Sequence, residues 1–129
     1  MAPSRTTTRL TTCIDDLAEA VRAWANGWLP TEAAAELLIS HRVWQWEPFR
    51  GRQVAVVDFA SAADAVQGSL ACSAGERQVL LVAASIAEGI PVDLREAALS
   101  LDAVNAARVA VAVCHAAGYR VRVVTESRP

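Results

Sequence analysis

The sequence predicts an α+β fold, mostly helical, with about five helices and a small two- or three-stranded sheet. Three observations predict it. Apolar residues recur at three- and four-residue spacing between capping sequences and glycines along most of the chain. The run from Gln53 to Phe59 is rich in valine, a β-branched residue that suits a pleated surface. Near the other end, Tyr119, Val121 and Val123 alternate with Arg120 and Arg122, the period of a half-buried strand. With 129 residues, 53% hydrophobic and 20% charged, the chain suits one domain and is too apolar for intrinsic disorder.

Residues Met1 to Thr11 are polar and aperiodic and read as a flexible N-terminal arm, leaving 12–129 as a single globular domain. Thr12 and Asp15 form a capping-box-like start, because hydroxyl and carboxylate satisfy backbone donors that a first helical turn leaves unpaired. Ile14, Leu17, Val21, Trp24 and Trp28 then make one apolar stripe, and Asn26-Gly27 supplies the stop. A second helix is expected from Pro30-Thr31 to about Ser40, with Glu32 near its positive end. The strand Gln53–Phe59 could pair as a hairpin with Val43 to Trp46 across the intervening turn. Ser61 with Asp64 is expected to start a short helix ending at Gly68.

Ser73 and Glu76 form a cleaner capping box, and the helix they open to about Glu88 is apolar on most sides, which places it in the core. Gly89-Ile90-Pro91 ends it. Asp93 with Glu96 caps a helix to about Leu99, and a last helix runs from Asp102 to about Ala117, stopping at Gly118. The two strands are expected to meet in one sheet, joining the region near Val54 to the C-terminal strand.

Composition narrows the function. Net charge is −2 with a pI near 5.6, too balanced for a polyelectrolyte tail. All twelve basic residues are arginine and alanine makes up about a fifth of the chain. The cysteines, Cys13, Cys72 and Cys114, are odd in number and far apart, which points to a reducing, cytoplasmic setting rather than a disulfide scaffold. The N-terminal residues lack the apolar core of a secretory signal, and the most hydrophobic run, Val79 to Ala87, is about half of a membrane span.

No signature of catalysis, of a cofactor or of a metal site stands out. There is no glycine-rich phosphate loop, Ser69 lacks the second glycine of a nucleophile elbow, and no ligand spacing for zinc occurs. The histidines are His41 and His115; His115 follows Cys114, and neighbours on a helix do not face each other. His115 is better placed to meet the negative end of its own helix. Asp15-Asp16 falls in a first turn, where acids stabilise the helix anyway. A small enzyme or ligand carrier would need a pocket assembled from distant residues.

Two surfaces carry the functional expectation. The segment His41 to Arg52 gathers Trp44, Trp46, Phe49, Arg50 and Arg52, the residue types of interface hot spots. These aromatics either contact a protein partner or second copy, or pack on Trp24 and Trp28 to complete the core. The expectation is therefore a non-catalytic cytoplasmic interaction or regulatory protein, capable of forming a homodimer, with no membrane involvement. The second surface spans Glu76 to Val124, whose order of helix, stop, short helix, turn, long helix and strand resembles a winged helix-turn-helix domain. That resemblance implies DNA binding, with Asp102, Asn105 and Arg108 on the recognition helix and Arg120 and Arg122 on the wing. The helix is poor in base-reading side chains and the chain is acidic, whereas duplex affinity comes chiefly from neutralising phosphates. A core helical hairpin is the other reading of the same stretch.

From Ser73 to Gly118 the chain also resembles small uncharacterised proteins of high-GC actinobacteria. The similar features are Gly75-Glu76 before the apolar helix, the turn from Gly89 to Leu94, the helix start Leu101-Asp102 with Asn105, and the stop His115 to Gly118. The lysine-free composition agrees with such a source, and the resemblance implies no activity and no site residues.

Overall fold

Four of the described helices begin where a side chain holds a free amide of the first turn. The computed structural model describes residues 18–41, 57–68 and 72–126. They contain α1 (helical over 18–25), α2 (Leu29–His41), α3 (Phe59–Gln67), α4 (Ala74–Glu88), α5 (Leu94–Ser100) and α6 (Ala103–Ala116). The carboxylates of Asp58, Asp93 and Asp102 accept from the backbone N–H three residues on, in Ser61, Glu96 and Asn105. At α4 the capping box is complete: Ser73 Oγ accepts from Glu76 N at 3.1 Å, and Glu76 Oε1 accepts from Ser73 N at 3.2 Å.

α2 and α4 form the centre. In α2, Ala33, Ala34, Ala35, Leu37 and Leu38 are all buried, and in α4 the whole run from Gln78 to Ala84 is buried. α2 packs on α4 and α6, while α4 also carries α3, α5 and α6. So many alanines at these contacts let the helix axes approach closely. Phe59, Leu38, Leu80, Val66 and Val79 are the largest side chains fully enclosed. The Arg77 guanidinium adds a polar tie, donating from Nε to the Val66 carbonyl at the end of α3 (3.1 Å).

Three expectations are corrected. The fold is helical, and among the described residues there is no strand and no sheet. The valine-rich run does not continue as a strand to Phe59. Asp58 takes an extended conformation, its carboxylate binds both the Ser61 N–H and hydroxyl, and α3 starts at Phe59. A local cap there outweighs β propensity. Gln53 to Val56, and with them the proposed hairpin and the region near Val54, lie outside the described residues, as does the N-terminal arm. Residues 119–126 form neither helix nor strand and are all exposed; Val121 and Val123 are better covered than Val124 (39% and 37% exposed against 83%), but Tyr119 is not, so the expected half-buried strand is not seen. No described neighbour supplies the ladder that would make the segment a strand.

The third correction concerns tryptophan. In α1 the buried residues are Ala18, Val21 and Ala25, whereas Trp24 is exposed and Trp28, just beyond the helix, is 65% exposed. The core expected around these two rings is built instead from alanine and leucine. Among the described residues no helix is long and apolar enough to cross a membrane.

Candidate functional site: the groove between α2 and α6

α2 and α6 run antiparallel, because His115 near the end of α6 meets Glu32 in the first turn of α2. His115 Nε2 lies 2.9 Å from Glu32 Oε1. An ionised carboxylate only accepts, which assigns the bonding proton to Nε2. The other oxygen, Oε2, accepts the Gly27 N–H at 2.8 Å. The His115 contact first, and the Gly27 amide second, hold the Glu32 carboxyl below its ordinary range.

One turn further along α2, Glu36 receives both arms of Arg22 from α1, Nε at 2.8 Å and a terminal nitrogen at 3.3 Å. Glu19 adds a third contact to that guanidinium at 3.1 Å. Glu36 foremost, and then Glu19, keep Arg22 more firmly protonated than usual.

These pairs border two depressions that share Glu36 and His115. The larger, about 360 Å³, lies between α2 and α6. Ala33, Leu37, Ala107, Val111, Ala112 and Val123 make its apolar lining, with Glu36, Ser40, Arg108 and His115 at its polar edges. The smaller, about 150 Å³, lies on the α1 side against Arg22, Ala25, Asn26 and Glu32. Val123 reaches the larger cavity because Gly118, at φ +96°, turns the chain back after α6. Gly118 sits near Leu29, and Val123 joins the lining of the larger cavity.

The structure places Arg108 in this groove, and Arg120 and Arg122 on the exposed segment that follows α6. Asn105 is half-buried, with its side-chain amide close to Gly75 in α4. Asp102 serves as the cap of α6. Trp44, Trp46, Phe49, Arg50 and Arg52 lie outside the described residues. Among the described residues no three of His, Cys, Asp and Glu gather as metal ligands.

Sequence reasoning paired His115 with the end of its own helix and missed Glu32. The available signal was that an acid in one first turn and a histidine in another last turn become neighbours if the helices pack antiparallel. Nothing local in the chain says that they do. Compared with protein-family models, with curated protein sequences and with solved structures, the chain matches none.

Proposed function

We propose that the chain is a non-catalytic cytoplasmic interaction protein that acts as a homodimer, paired through residues 119–126. The observation that carries this reading is the state of that segment. Beyond the Tyr119 N–H, which donates to the Cys114 carbonyl, its backbone makes no hydrogen bond among the described residues. A stretch whose backbone donors and acceptors are left unpaired is a template for strand addition. Its apolar side chains also leave large areas exposed: Tyr119 and Val124 are mostly uncovered, and Leu29 beside Gly118 extends the patch. Cys72 and Cys114 are free thiols, which fits a reducing compartment.

Charge selects the second copy as the occupant. In an antiparallel two-fold pair with Val123 opposite Val123, Arg120 faces Glu126 of the other copy, Val121 faces Thr125 and Arg122 faces Val124. The register centred on Val121 sets Arg120 against Arg122, and like charges directly opposite are destabilising. A two-stranded ribbon alone is marginal in water, but here Val123 also lines the cavity between α2 and α6.

Analytical ultracentrifugation of the full chain tests this. The wild type is expected to be a dimer. Arg120→Glu and Glu126→Arg each set like charges opposite, at two symmetric places worth roughly 0.2–1 kcal/mol apiece. Each is expected to weaken the dimer about tenfold, and the double exchange to restore it. A monomeric wild type, or a dimer indifferent to both single changes, overturns the reading.

A further inference from the structure

We propose that the cavity between α2 and α6 is a binding site for a small amphipathic carboxylate, an apolar chain ending in one negative charge. This goes beyond self-association and stands apart from it.

Size and lining come first. The cavity of about 360 Å³ is near the small end of ligand pockets, which run from roughly 300 Å³ upward. At about 30 Å³ for each heavy atom, the share of one water in the liquid, it has room for roughly a dozen. Its walls are methyl and methylene groups of alanine, leucine and valine from two helices, with Val123 over them from the returning segment. A purely apolar ligand would satisfy the walls and leave the edges unused.

The charges at the edges decide the headgroup. Glu36 is paired by the two-armed contact from Arg22, and the Glu32 carboxylate is already engaged by the hydrogen bonds from His115 and the Gly27 amide. Ser40 turns its hydroxyl hydrogen to the Leu37 carbonyl at 2.7 Å, so it has no donor left to offer. Arg108 remains. Among the described residues it has no hydrogen bond and no ion pair, so the one uncompensated charge on the lining is positive. A guanidinium fork matches a carboxylate with two parallel hydrogen bonds.

The positions also order the ligand. Arg108 and His115 lie two turns apart on α6, roughly 10 Å along its axis, with Val111 and Ala112 between them. A carboxylate held at Arg108 therefore lays its chain over Val111 and Ala112 toward the end where His115 is bound to Glu32. An aliphatic chain of about eight carbons spans that distance.

Equilibrium dialysis of the full chain against labelled octanoate tests the proposal, with octan-1-ol and octylamine as competitors. Saturable binding of one octanoate per chain is expected, with octylamine a much poorer competitor than unlabelled octanoate. Arg108→Gln is expected to weaken octanoate at least tenfold while circular dichroism stays unchanged, because the residue is exposed. Val111→Trp fills the cavity and is expected to abolish binding of octanoate and octanol alike. Uptake that does not saturate, octylamine competing as well as octanoate, or an Arg108→Gln protein that binds like the wild type overturns the assignment.

Discussion

His115 Nε2 and Glu32 Oε1 meet at 2.9 Å across 83 positions of the chain, and that contact sets how α6 lies on α2. The same carboxylate holds the Gly27 amide just before α2 begins. One acidic side chain thus joins the turn after α1, the start of α2 and the end of α6.

The pair gives stability a pH dependence. Glu32 titrates below its usual value of 4.5 in the folded state, so its contribution is present above that value and is lost as pH falls through the lower, folded one. The urea midpoint of the wild type is expected to fall more steeply than that of Glu32→Gln between about pH 5 and 3. Glu32→Gln retains part of the slope, because Asp58, held down chiefly by the Ser61 amide, follows the same sign. Parallel midpoint curves for the two proteins would remove Glu32 from the account.

The stop after α4 makes a purely conformational prediction. Gly89 sits at φ +71°, and a Cβ there would meet nothing within 4 Å. Gly89→Ala therefore brings no clash with neighbours, only the left-handed conformation, which costs an L-residue about 1–2 kcal/mol. Denaturant unfolding should show that loss with an unchanged m-value. No loss would mean that the backbone at Gly89 can relax to negative φ.

Burial reverses the ranking that side-chain size suggests. Leu38→Ala empties a fully enclosed site in α2 and is expected to cost about 2–5 kcal/mol. Trp28→Ala removes the larger, largely exposed ring and is expected to change stability by about 0.5 kcal/mol or less. Thermal melts of both variants check this, and a Trp28 loss comparable to that of Leu38 would place the ring in the core.

Helix ends were legible in the chain because they are decided within three residues. Ser73 with Glu76, Asp93 with Glu96 and Asp102 with Asn105 each close hydrogen bonds over one turn, whatever the rest of the molecule does. The same locality misled at Ser61. The box with Asp64 starts the helix too late, because Asp58 captures Ser61 first. The groove was not legible at all. His115, Arg108 and Val123 reach one cavity with Glu36 and Leu37 only after α2 and α6 have packed.

By itself the sequence determined where α4, α5 and α6 start and stop and that α4 is a core helix, since caps and periodicity act through near neighbours. Only tertiary structure decided that Ala34 is enclosed while Trp28 stays in solvent, that Glu32 finds His115, and that residues 119–126 form no ladder among the described residues. Burial and pairing between distant positions depend on which helices meet. In this chain alanine from α2 and α4 fills much of the centre, and among the described aromatic residues Phe59 is enclosed there while Trp24 and Trp28 stay in solvent.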